Sequence, residues 1–344
     1  MIIFSVLGGV LYFEGSSNDF VSKGISKDDM SKLERADFQF VRDYWRERMD
    51  GGEAGEVYRV FKDAYESVDF GKQHAAAHII GELLYEKEGV DGLVVCDNTF
   101  AFGCFHGFFG NAIQEGGIGT IAQLDSTCLD KYGPYGTGCQ HGIGHGILEY
   151  LGHDALIEGL EACEYTTQLQ AHFGCTSGLF MEYNIPIVFS AEDVYSDIRD
   201  ADQENLYAPC NTIVPDKFKK SCYFELAQWW MQIFNNDHVK IGGLCDALED
   251  KGNKKSCYLG FGTVSAYVSH YDVDRTIALC KESSHGNTEN ELFCRASASW
   301  SFWAMPEHRQ KSVALCENFI DTDTEYTCVQ ESDLIETGEK LKKE

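Results

Sequence analysis

Two stretches of the chain place histidines four residues apart, with an acid four residues further on. They are Gln73-His74-Ala75-Ala76-Ala77-His78-Ile79-Ile80-Gly81-Glu82 and Cys139-Gln140-His141-Gly142-Ile143-Gly144-His145-Gly146-Ile147-Leu148-Glu149. On a helix, residues four apart share a face, so each stretch makes a ridge of imidazole, imidazole and carboxylate. Between them, Cys104-Phe105-His106-Gly107 repeats the Cys-x-His-Gly of the later stretch. Two histidines at i and i+4 form a bidentate face for one metal ion. Imidazole suits Zn, Cu or Fe, and an added carboxylate favours Fe, Mn or Zn. The core ligands read from the sequence are His74, His78, His141 and His145, with His106 next. Glu82 and Glu149 are candidates for a bridging ligand, a partner orienting a ligand, or a general base. In an enzyme, such a metal would activate water or dioxygen, giving a hydrolase or an oxidase with Glu82 or Glu149 handling protons. The competing role for these histidines is structural, as packing between close helices with hydrogen bonds to backbone or tyrosine.

The elements that must position them are set by the cysteines. Fourteen occur, in pairs: Cys96 and Cys104, Cys128 and Cys139, Cys163 and Cys175, Cys210 and Cys222, Cys245 and Cys257, Cys280 and Cys294, Cys316 and Cys328. The second members recur at steps of 35, 36, 47, 35, 37 and 34 residues, the period of helical-hairpin repeats. Within a unit, the second cysteine opens a helix A, as at Cys257, and a helix B runs to the next cysteine, as from Val273 to Cys280. A disulfide from the end of helix B to the start of the next helix A would staple consecutive hairpins. Each staple would add roughly 2–3 kcal/mol by loop closure. Neighbour pairing follows from the repeat, although a sequence by itself permits many connectivities. Glycine and alanine are frequent on helix A and permit close approach of neighbouring helices.

Aligning the A helices puts His74, His106 and His141 at one position, with His78, Gly110 and His145 at a second and Glu82, Gln114 and Glu149 at a third. Later copies carry Ser177, Phe224, Leu259 and Ala296 at the first position, so the histidine pattern is confined to three consecutive units. Neighbouring helices pack about 8–10 Å apart, close enough for imidazoles from adjacent A helices to meet at a common ion.

In cysteine placement and spacing, Lys72 to Cys328 resembles the disulfide-stitched members of the tetratricopeptide-like superfamily, secreted helical repeat proteins in which a bridge joins one hairpin to the next. The resemblance implies an all-α superhelix. The expected fold is therefore an all-α hairpin-repeat solenoid stapled by about seven disulfides. Its expected organisation is an apolar signal-anchor or signal-peptide remnant over 1–13, a linker over 14–29, a helical cap over 30–71, repeats over 72–328 and a charged tail over 329–344. In the cap, one helix is expected from Met30 to Arg48 and a second from Glu56 to Val68. The step of 47 marks an insertion at 185–209 with loop-like acidic stretches at Ala191-Glu192-Asp193 and Asp200-Ala201-Asp202-Gln203-Glu204.

A formal net charge of −27 argues against nucleic acid and against an anionic bilayer, both of which need a basic surface. An even, high cysteine count points to an oxidising, extracytoplasmic compartment, secreted, periplasmic or at the cell surface, with the N-terminal segment as a candidate membrane tether. Two further functional readings stand beside a metal centre: a rigid scaffold with a protein or peptide ligand on its concave face, and capture or delivery of a metal without catalysis. His153 and His172 flank the third hairpin as weaker candidates for the same cavity, and Trp229, Trp230, Trp300 and Trp303 read as core aromatics. No Gly-x-Ser-x-Gly, phosphate-binding glycine loop or EF-hand loop is present, so a Ser- or Cys-nucleophile enzyme has no positive support.

Overall fold

The computed structural model describes residues 25–34, 38–189, 194–317 and 328–329. The apolar stretch 1–13, the linker up to residue 24, Ala191-Glu192-Asp193 and the tail from residue 330 lie outside the described residues. Among the described residues the chain is helical, apart from one two-stranded ribbon.

Helix α1 (Lys27–Leu33) starts where the Ser26 hydroxyl accepts the Asp29 N–H, which places a helix at the end of the stretch read as linker. The single helix expected from Met30 to Arg48 is therefore two, α1 and α2 (Phe38–Gly51). Helix α3 (Ala54–Tyr65) buries Val57, Val60, Phe61 and Tyr65, the stripe its spacing implies. The Phe61 ring meets Trp45 of α2 edge-on at 5.1 Å.

The repeat units follow. Their A helices are α4 (Phe70–Glu88), α5 (Gly103–Gly116), α7 (Thr137–Leu151), α9 (Cys175–Asn184), α10 (Lys219–Ile233), α12 (Lys251–Val268) and α14 (Thr288–Ala304), each packed on the next in one row. Between them lie the B elements: a 3-10 segment Gly89–Val95, α6 (Ile121–Tyr132), α8 (Leu156–Ala162), α11 (His238–Asp246), α13 (Val273–Ser283) and a closing 3-10 segment Arg309–Cys316. All seven disulfides join neighbours: Cys96–Cys104, Cys128–Cys139, Cys163–Cys175, Cys210–Cys222, Cys245–Cys257, Cys280–Cys294 and Cys316–Cys328. The expectation that the second cysteine opens helix A fails in the later units. There α12 and α14 begin at Lys251 and Thr288, well ahead of Cys257 and Cys294, because Asp250 and Asn287 cap the first backbone N–H groups.

Adjacent A helices touch backbone to backbone. A Cβ at Gly107 would collide with the His78 carbonyl, and one at Gly178 with the His141 carbonyl, so only glycine allows these spacings. Both contacts sit beside a histidine of the ridge.

The insertion replaces helix B of the fourth unit. It carries the antiparallel ribbon of β1 (Ile187–Phe189) and β2 (Val194–Ser196), which was not expected, while residues 200–204 form the loop expected there. The following chain is fastened to α10 by the Arg199 guanidinium, 3.8 Å over Trp229, and by Trp230 Nε1 donating to the Leu206 carbonyl at 3.1 Å. The row also curves: Tyr135 of the third unit meets Trp303 of α14 at 5.1 Å. Under that contact lies a cavity of about 400 Å³, lined from both ends of the row by Phe102, Phe173, Thr263 and Trp300 among others. None of the described residues that line it belongs to the 185–209 insertion. No helix among the described residues is long and apolar enough to cross a membrane.

Candidate metal centre

Gly107 seats α5 on α4, and Gly146, where a Cβ would be 2.6 Å from the Phe109 carbonyl, seats α7 on α5, so that all five ridge histidines meet. Their nitrogens gather into two triads, His74 with His78 and His106, and His106 with His141 and His145, every ligand atom within 4.8 Å of the others in its triad. His78 Nε2 lies 3.2 Å from His74 Nε2 and 3.2 Å from His106 Nδ1, and His145 Nε2 lies 3.2 Å from His141 Nε2. Two nitrogens bound to one tetrahedral ion at about 2.0–2.1 Å are separated by about 3.3 Å. These three nitrogen pairs already have close to that spacing.

The outer nitrogens fix the protons. His74 Nδ1 is 2.8 Å from the Phe100 carbonyl, which can only accept, so the proton is on Nδ1 and a lone pair on Nε2. His145 Nδ1 donates likewise to the Glu182 carboxylate at 2.8 Å. His141 Nδ1 is 2.8 Å from Ser177 Oγ, whose own proton is directed to the Gly174 carbonyl at 3.0 Å, so His141 donates as well. If each of these rings carries only its Nδ1 proton, the His141 and His145 Nε2 lone pairs face each other at 3.2 Å. With neutral rings this is a repulsive contact, and a cation between the nitrogens makes it attractive. Burial drives His74 down to about 4, and holds His78, His106 and His141 well below the ordinary histidine range. A neutral imidazole is the form that ligates a metal.

The two acids singled out from the sequence part company. Glu82 of α4 turns away and pairs with Arg42 of α2, which also binds Glu86 at 2.8 Å. Burial raises its pKa against the pull of that arginine. Glu149 lies over α5 one turn beyond His106, where a Cβ at Gly110 would be 2.7 Å from its Oε2. Part of its side chain stays in solvent, yet enclosure of the carboxyl, then the like charges of Glu182 and Glu82, push its pKa up to about 7. His153 Nε2 is 3.8 Å from Glu182 Oε1, and His172 Nε2 bonds Ser256 Oγ at 2.9 Å on the cavity wall. Neither joins the triads.

Three positions act at the site without having been singled out. Glu182 sits at an offset on α9 that no histidine unit shares, so the repeat gives it no signal. Ser177 stands where His141 stands one unit earlier, and a polar residue at a histidine position was a readable hint. Phe100 contributes its carbonyl from a turn in which Phe100, Ala101 and Phe102 all have positive φ, at 55°, 52° and 67°. Three successive left-handed residues are costly, and nothing in their side chains announces them.

Comparison with protein-family models, with curated proteins and with solved structures finds no match to this chain. The site's own geometry carries the functional reading.

Proposed function

We propose that this is an extracytoplasmic metal-binding protein whose five histidines hold a divalent transition ion, Zn, Cu, Fe or Mn. The carrying observation is the His141–His145 pair, with both outer nitrogens bound to acceptors and both inner nitrogens 3.2 Å apart. Supporting it are the matched His74–His78 pair and a carboxylate behind His145, the partner that orients a metal-bound imidazole. The seven disulfides support an oxidising compartment, which leaves no thiolate among the described residues to compete for the ion. The chemistry such a centre supports is activation of bound water or dioxygen. Glu149, with a pKa about 7, is suited to take and return the proton near neutral pH.

A second reading, binding of a peptide or small organic ligand, is favoured by the cavity. Phe173 lines it and stacks on His141 at 4.7 Å, so an occupant would lie one ring from the histidines.

Titration of tag-free protein with Co(II) tests the metal reading. Saturable ligand-field bands of tetrahedral Co(II), absent from a His141→Ala/His145→Ala variant, are expected. A spectrum that stays that of the hydrated ion would overturn it.

A further inference from the structure

The ligand nitrogens form two groups of three, and His106 belongs to both. Its Nδ1 faces His78 Nε2 at 3.2 Å, inside the first triad. Its Nε2 is fully buried and has no hydrogen-bond partner, on a residue only 3% exposed. An orphaned ring nitrogen in a site this dry is destabilising unless something occupies its lone pair or takes its proton. The other two members of the second triad are close by, the His145 ring stacked on the His106 ring at 4.0 Å and the His141 ring at 5.4 Å.

We infer that His106 is a bridging ligand that joins two metal ions into one centre, its Nδ1 completing a site with His74 and His78 and its Nε2 completing a site with His141 and His145. This rests on the metal-binding reading above. A neutral imidazole carries one N–H, so occupation of both nitrogens releases that proton to solvent and leaves an imidazolate. Its negative charge lies between the two cations, where burial makes charge compensation most valuable. Metal–nitrogen bonds of about 2 Å on either side of the ring set the ions roughly 6 Å apart. That is longer than the roughly 3.5–4 Å of water-bridged metal pairs. It is a geometry for passing an electron or sharing a substrate between ions across a ring. The sequence alignment also gains a meaning: Gly110, in place of a second histidine on α5, leaves the middle helix with one ligand serving both neighbours.

Copper(II) is the probe, loaded into tag-free wild type and a His106→Ala variant, with bound copper counted and paramagnetic resonance intensity integrated. The expected result is two coppers per wild-type chain with an integrated signal far below two spins, because an imidazolate couples the ions antiferromagnetically. Loss of that coupling is expected in the variant. Two coppers with full two-spin intensity, or saturation at one copper, would overturn the bridge and leave the metal reading standing. Absence of tight copper would overturn both. The wild-type spin count decides the bridge by itself if the variant does not fold.

Discussion

At the scale of single residues, proton placement turns a histidine cluster into a ligand set. Glu182 is the clearest case: by accepting from His145 Nδ1 it exposes the Nε2 lone pair to the ion. Glu182→Gln is expected to lower metal affinity about 10–100-fold, the usual cost of losing a partner behind a ligand. Competition against a chelator measures it, and an unchanged affinity would remove Glu182 from the site. Glu225 of α10 poses a different problem. It is 2% exposed, and burial raises its pKa well above the carboxylate range. A carboxyl whose folded pKa lies above its unfolded value takes up a proton on folding. Its stability contribution is intact below about pH 4.3 and is lost as the pH rises towards the folded pKa. Glu225→Gln should therefore gain stability over wild type at mildly alkaline pH, and the gain should shrink in acid. Denaturant midpoints at the two pH values check this, and a pH-independent difference would contradict it.

At the scale of elements, helix spacing decides whether the rings meet at all. Gly178 lies against the His141 carbonyl at the contact of α9 with α7, the two helices that carry Ser177, Glu182, His141 and His145. Gly178→Val is expected to cost about 1–3 kcal/mol as the helices are wedged apart. It should also weaken metal binding while leaving every ligand in place. Thermal melts with and without metal would show both effects, and loss of stability with full affinity would contradict the spacing argument. Much of this level is readable in the sequence. Cysteine spacing marks the hairpins and their staples, and alignment of the A helices puts His74, His106 and His141 in register. What escapes is set by contacts between distant elements. Arg42 of α2 diverts Glu82, and nothing local to Glu82 announces a partner forty positions earlier. Caps at Asp250 and Asn287 start helices ahead of their cysteines, and the ribbon of the insertion depends on pairing its two ends.

For the whole molecule, the row of A helices is held in line by covalent staples, each joining one hairpin to the next. Each closes a short loop worth about 2–3 kcal/mol. Reduction of the disulfides should lower the melting temperature sharply and release bound metal, because the two triads draw on three successive A helices. Calorimetry with and without reductant reads the first effect and elemental analysis the second; a reduced chain that keeps both its melting temperature and its metal would contradict this. A net charge of −27 repels the molecule from other polyanions and concentrates cations around it. The most direct measurement of the central claim is elemental analysis of tag-free protein, loaded with metal and desalted, in wild type and in a His74→Ala/His141→Ala variant that keeps its helical circular dichroism. The account predicts stoichiometric metal in the wild type and its loss in the variant. Wild type without metal, or a variant that holds as much, would contradict it.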